Sequence, residues 1–165
     1  MIFAKFFARS QNPAQPLYEA IVAAARQPHF YAQRRVPDTV DGRFDMLVLH
    51  LCLVVERLRA EAPELCQNLV DYFCTDMDAN LRELGAGDLS VSKKVRRMAE
   101  AFQGRYDAYA AARETKEMAE AVLRNVYARR AGQDASALAR YALDARTMLA
   151  RQSADAISAG KIIFS

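Results

Sequence analysis

The sequence predicts an all-α protein, a single-domain bundle of about six to seven helices. Glycine and proline are scarce, at 6 and 5 of 165 residues, and good helix formers are abundant. Apolar residues recur at spacings of three and four along most of the chain, as they do in amphipathic helices. No segment shows the apolar–polar alternation of a half-buried strand. We assign residues 13–165 to one helical domain and residues 1–12 to a separate N-terminal segment.

Composition limits the class of protein. Apolar residues make up 52% and charged residues 26% of the chain, which is typical of folded globular proteins. A net charge of +3 is too small for a dedicated nucleic-acid binder, so we expect no DNA partner.

The longest apolar run, residues 46–55, is about half as long as a helix that spans a bilayer. The cysteines Cys52, Cys66 and Cys74 lie in apolar runs, where we expect buried free thiols.

The first element is the N-terminal segment, residues 1–12. Phe3, Phe6 and Phe7 fall on one side of a short amphipathic turn, with two cations among them. The segment lacks the uninterrupted apolar core and the cleavage site of a secretory signal. It is either a frayed terminus that packs on the body or an anchor whose aromatic rings enter a membrane interface.

The next two elements are a half-buried helix and a core helix. The first helix spans about residues 14–26, and Pro28 ends it before a short aromatic turn. Asp38 and Thr39 then offer side-chain oxygens that can cap the following helix. This second helix, about residues 42–60, is apolar around nearly its whole circumference, which predicts a buried central helix.

The third helix is predicted over residues 63–84. Gly85 and Gly87 end it, since glycine adopts the left-handed conformation of a helix terminus without steric cost. Its apolar residues repeat at spacings of four and three, which predicts one continuous buried stripe. The stripe consists of Leu65, Leu69, Phe73, Met77, Leu81 and Leu84.

The fourth helix, about residues 91–112, carries an apolar seam close to a heptad pattern. Asp88 or Ser90 is the expected cap. Gly104 weakens the middle of this helix, which suggests close packing at that position. A fifth helix over about residues 116–130 and a sixth over about 135–151 complete the bundle, and a short turn follows.

A cluster of four cations lies near the start of the fourth helix, at Lys93, Lys94, Arg96 and Arg97. One interpretation is an ordinary solvated face. The other is a docking patch for an acidic protein, an anionic lipid surface or an RNA backbone. No aromatic residue is interleaved with the cations, so stacking on bases is not indicated.

The residue patterns of catalytic and metal sites are missing from the sequence. It has no paired Glu-x-x-His motifs and no CxxCH motif, and its cysteines lie in apolar surroundings that make thiols unreactive. We therefore expect no catalytic residue, no metal and no cofactor. His50 in the central helix is best interpreted as a core histidine bonded to a neighbour. The alternative is a haem or small-ligand pocket near His50, in a carrier or an enzyme.

Three stretches of the sequence carry a recognisable family pattern. They are Phe30 with Tyr31, VPDTVDGRFDMLVLHL at residues 36–51, and DMDANLRELGAGDLSVSKKVRRMAEAFQGR at residues 76–105. They resemble the ubiquinol–cytochrome c chaperone family, whose members are assembly factors of the cytochrome bc complex, respiratory complex III. The resemblance covers roughly residues 17–145, and the richness in alanine and arginine is similar to the bacterial branch.

The resemblance implies a helical, non-enzymatic chaperone that binds newly made cytochrome b and supports assembly of the complex. It also implies a cytoplasmic protein that lies peripherally at the inner face of the cytoplasmic membrane, or on the matrix side in mitochondria. Contact with a ribosome or its RNA through the cation cluster is a further alternative.

The matched residues divide by expected role. Three glycines serve the backbone: Gly42, Gly85 and Gly87. Three residues are expected caps: Asp38, Thr39 and Asp88. The remaining charged residues are expected to pair across helix ends in one network that fixes helix register. These are Arg43, Asp76, Asp78, Arg82, Glu83 and Arg105. The candidates for contact with a client or a membrane are the four clustered cations and the three N-terminal phenylalanines.

Overall fold

The computed structural model describes residues 12–85 and 87–165, so Phe3, Phe6 and Phe7 lie outside the described residues. Within this part of the chain all regular structure is helical, which confirms the predicted all-α class. The helices, in chain order, are α1 (Gln15–Ala25), α2 (Pro28–Ala32), α3 (Val40–Leu58), α4 (Pro63–Glu83), α5 (Asp88–Ala111), α6 (Thr115–Asn125), α7 (Ser136–Ala150) and α8 (Ala154–Ser158).

The six longer helices correspond to the six that the apolar spacing predicts. The two five-residue helices, α2 and α8, lie where short turns were expected. Pro28 ends α1 as predicted and also opens α2, because its fixed φ suits the first turn of a helix. The described helices do not include one with the length and hydropathy needed to cross a bilayer.

The central helix is α3. Every residue from 46 to 54 is buried, and α1, α4, α5 and α7 all pack against it. Helix α6 packs beside α7 and α5, and α7 in turn packs against α3. The predicted core helix is therefore confirmed, and it positions α1, α4, α5 and α7 because they share it as a packing partner.

Of the residues expected to cap helices, Thr39 does so, and Asp38, Asp88 and Ser90 do not. Thr39 caps α3 as predicted, since its Oγ1 accepts a hydrogen bond from the Gly42 N–H at 3.1 Å. Asp38 instead accepts from the Arg43 guanidinium at 2.8 Å. Asp88 is the first residue of α5, and the N-cap position belongs to Gly87 without a side-chain bond. At Asp88 the carboxylate is still favourable, because it lies at the positive end of the helix dipole.

Helix α6 ends at Asn125, five residues before the predicted end. Ala128 and Arg129 adopt left-handed φ angles of 48° and 55°, which a continuing helix does not permit. The Arg129 N–H then donates to the Leu123 carbonyl at 2.8 Å and closes the turn. Apolar spacing alone did not predict the early end of α6, because Val126 and Tyr127 are buried although they lie beyond the helix.

Two glycines differ sharply in their surroundings. A Cβ atom at Gly42 would lie 1.9 Å from the carbonyl oxygen of Pro37, so only glycine lets the start of α3 approach the preceding chain. At Gly104 a Cβ would meet nothing within 4 Å, so the expectation of close packing there is wrong.

We predict opposite effects of alanine at these two sites. Gly42→Ala should lower the free energy of unfolding by about 2 kcal/mol or more, because a backbone oxygen must move to admit the methyl group. Gly104→Ala should raise it by up to about 1 kcal/mol through better helix propensity. Chemical denaturation of both variants tests this, and a Gly42→Ala protein as stable as the wild type would contradict it.

Candidate functional site

The hairpin formed by α4 and α5 is buried at its base and exposed at its turn. Leu69 and Phe73 are fully buried, whereas Met77 and Leu81 are half-buried and Leu84 is 76% exposed. The expectation of one continuous buried stripe is therefore wrong for the last turns of α4. There the apolar side chains leave the core and are partly exposed to solvent.

An open groove of about 790 Å³ lies between α1, α3, α4 and α5. Each helix contributes apolar side chains to it, and the side chains on α4 are those of the stripe that has left the core. Representative lining residues are Val22 on α1, Val40 and Phe44 on α3, Met77 and Leu81 on α4, and Met98 on α5. The groove is thus an apolar surface built at the end of the bundle where the core is incomplete.

An ion pair crosses the base of the groove. Arg105 on α5 donates to Asp45 on α3 at 2.6 Å, and both side chains are at most 20% exposed. The Arg105 guanidinium also lies over the Phe44 ring, 5.4 Å from its centroid. Burial raises the pKa of Asp45 to about 6, and the neighbouring cation opposes this shift. Separation of the two partners would leave largely buried charges without compensation, which is unfavourable. The pair therefore holds α5 in register with α3.

The turn of the hairpin has its own ion pairs. Arg82 binds Asp78 one turn earlier, at 2.6 Å, and also reaches Asp88 across the turn. Gly85 has a φ of +84°, so the predicted left-handed turn residue is confirmed. These side chains are exposed and add little to stability, but they fix the path of the turn.

The predicted charged residues do not form one network. Arg105 pairs with Asp45, Arg82 pairs with its neighbours in the turn, and Arg43 pairs with Asp38. Asp76 accepts a hydrogen bond from the Tyr18 hydroxyl at 2.7 Å and so joins α4 to α1. Glu83 lines the groove, and no described residue forms an ion pair with it. The expectation of a single network is therefore wrong.

The four clustered cations lie on the exposed surface of α5. Lys93, Lys94, Arg96 and Arg97 are all exposed. Arg96 reaches Glu100 at 3.2 Å, and no described acid pairs with the other three. The cluster therefore keeps most of its charge free for another molecule.

His50 is a core residue, as its place in an apolar helix predicted. Its Nδ1 lies 2.7 Å from the Met46 carbonyl oxygen, which only accepts, so Nδ1 carries the proton. Its Nε2 accepts from the Tyr141 hydroxyl at 2.7 Å. Burial lowers the pKa of His50 to about 4, which keeps the ring neutral. Both ring nitrogens are engaged, and this leaves neither for a haem iron or another ligand.

The cysteines show no sign of activation. Cys52 and Cys66 are buried and Cys74 is half-buried, and burial raises the pKa of each thiol. A raised pKa disfavours the thiolate, which is the nucleophile. Across residues 12–85 and 87–165, no group of three potential metal-ligating side chains comes together.

Sequence reasoning missed Asp45 and Phe44, although both lie in a stretch that carried the family pattern. The available signal was a carboxylate directly before a run of apolar residues on a core helix. Such a group needs a partner when it is buried. That partner, Arg105, is 60 residues away in the chain. It could not be predicted from the sequence, because the pairing depends on how α3 and α5 pack.

Similarity to known proteins covers nearly the whole chain. A family model described as ubiquinol-cytochrome C chaperone matches residues 32–164. A solved structure described as the Cbp3 homolog from Brucella abortus is 40% identical, with a TM-score of 0.82. The match covers 98% of this chain and 95% of that chain. No curated protein sequence matches the chain.

We predict that His50 makes folding sensitive to acid. In the unfolded chain His50 takes up a proton near pH 6.5, whereas in the folded protein it stays neutral down to about pH 4. Acid therefore favours the unfolded state, and the free energy of unfolding should fall by about 3 kcal/mol over that interval from this group.

The comparison with His50→Gln isolates the effect, because Asp45 titrates in both proteins. The variant should be less stable than the wild type at pH 7, and the difference should narrow as the pH falls to 4. Denaturation curves across this pH range measure it. A constant difference would show that His50 is not held neutral in the core.

Proposed function

The chain belongs to the ubiquinol–cytochrome c chaperone family, and on this basis we propose that it is a non-enzymatic assembly chaperone whose client is newly made cytochrome b. It would hold the client during assembly of ubiquinol–cytochrome c reductase at the inner face of the cytoplasmic membrane. The single observation that carries the proposal is the open apolar groove between α1, α3, α4 and α5.

The groove suits an apolar helical segment of a membrane protein. Such a segment exposes apolar side chains on all sides before its own partners are present, and water makes that exposure unfavourable. The half-buried side chains of Met77, Leu81 and Met98 offer a surface on which one face of a helix can be buried. Two of them are methionines, whose flexible side chains adapt to partners of different shape.

The rim of the groove supports binding that can be reversed. It carries cations at Arg26 and Arg43 and acids at Asp41 and Glu83. A polar rim around an apolar surface keeps that surface small enough to remain in water without self-association. Only one side of the client would be covered, so release requires no opening of the protein core.

We predict that changing the groove weakens client retention without unfolding the protein. In the double variant Val40→Glu/Leu81→Gln, one position is 77% exposed and the other is half-buried, so the melting temperature should change little. Co-purification of cytochrome b in mild detergent should fall by about tenfold, because two apolar contacts are lost.

The matched control is Ile163→Glu, which places the same charge on an exposed apolar position outside the groove. This variant should retain the client as well as the wild type does. Full client retention by the groove variant would overturn the groove as the client site. Equal losses in both variants would show that retention depends on general surface hydrophobicity.

A further inference from the structure

We propose that the turn end of the α4–α5 hairpin is a membrane-contact surface for anionic phospholipid. Leu89 enters the headgroup region there, and Lys93, Lys94, Arg96 and Arg97 bind lipid phosphates. This inference rests on the proposed function, because that function places the protein at the membrane into which the client is inserted. Leu89 and the four cations do not line the client groove, so the two proposals can fail separately.

Two exposed leucines mark the apolar part of this surface. Leu84 is 76% exposed just before the turn, and Leu89 is 85% exposed just after it. Single exposed leucines are ordinary on protein surfaces. Two of them flanking one turn at the exposed end of a hairpin form a local apolar tip, which water disfavours and a lipid interface accepts.

The cations lie beside Leu89 on the same helix. Lys93 and Arg96 follow Leu89 at four and seven residues, so all three share one face of α5. At a rise of 1.5 Å per residue the cluster begins about 6 Å along the helix from Leu89. That distance is within the range over which an anionic bilayer attracts basic side chains.

The charge balance of the tip favours an anionic partner. Residues 88–100 contain four cations and two acids; Arg82 engages Asp88 and Arg96 reaches Glu100, so Lys93, Lys94 and Arg97 have no described acid as a partner. The combination of an apolar tip with a basic face distinguishes lipid from RNA. An RNA backbone would use the cations but gain nothing from Leu89, and the cluster offers no aromatic ring for base stacking.

The tip also orients the groove. Leu84 lies at the exposed end of α4 and lines the groove as well. Contact of the tip with a bilayer therefore brings the mouth of the groove to the interface, where apolar segments of a membrane protein are found. The same hairpin would carry the lipid contact at its turn and the client contact along its inner face.

Vesicle flotation of the full chain tests this surface, with phosphatidylcholine vesicles that contain or lack phosphatidylglycerol. The wild type should bind the anionic vesicles at least about tenfold more strongly than the neutral ones. Leu89→Ser should weaken binding to anionic vesicles by about tenfold. Reversal of the four cations to Glu should abolish it. All variants retain residues 1–11, so any contribution of Phe3, Phe6 and Phe7 is common to all of them.

Two control variants are matched to these changes. Ile163→Ser removes an exposed apolar side chain elsewhere, and a second quadruple reversal uses two other lysines and two other arginines. These four exposed cations are Lys116, Arg130, Arg151 and Lys161. Both controls should bind anionic vesicles almost as the wild type does, and all melting temperatures should be similar.

The proposal is overturned if Leu89→Ser binds vesicles fully, or if the control reversal loses as much binding as the reversal at the tip. Binding of the tip to RNA but not to vesicles would also overturn it. The groove variant Val40→Glu/Leu81→Gln should still bind vesicles, and Leu89→Ser should still retain cytochrome b in detergent. These two results separate failure of the lipid contact from failure of the client site.

Discussion

The burial of α3 on all sides determines where the other helices of the bundle lie. Residues 46–54 are each at most 8% exposed, so the elements around them have to cover every side of α3. Its buried polar side chain, His50, is neutral and bonded at both nitrogens. Both ends of α3 are fixed as well, by Gly42 against Pro37 and by Arg57, which donates to the carbonyls of Leu149 and Gln152 at 3.1 and 2.8 Å.

The groove follows from where this burial stops. Toward the N-terminal end of α3 the helix leaves the core, and Val40 is 77% exposed. The end of α4 and the start of α5 lie in the same region, where Leu81 and Met98 are only half-buried. The Arg105–Asp45 pair closes the base of this region and holds α5 against α3. The bundle therefore has a closed core at one end and an open apolar groove at the other.

The sequence was most informative where a residue pattern is compatible with only one kind of local structure. An apolar circumference predicts a core helix, and Gly85 predicts a left-handed turn. The cation cluster could also be located, because four charges in five residues cannot be buried together. Asp45 and Arg105, by contrast, are 60 residues apart, and their pairing depends on the packing of two helices. The exposure of Leu84 was missed for a related reason, since periodicity gives the apolar face of α4 but not where its packing partner ends.

The groove between α1, α3, α4 and α5 is proposed to contact an apolar segment of the client. A photocrosslinking residue at position 81 tests it most directly, with the same residue at position 163 as the reference. Both proteins would be exposed to membranes that are assembling the cytochrome bc complex. We expect a crosslink to cytochrome b from position 81 and little or none from position 163. Equal crosslinking from both positions, or crosslinking from position 163 alone, would contradict it.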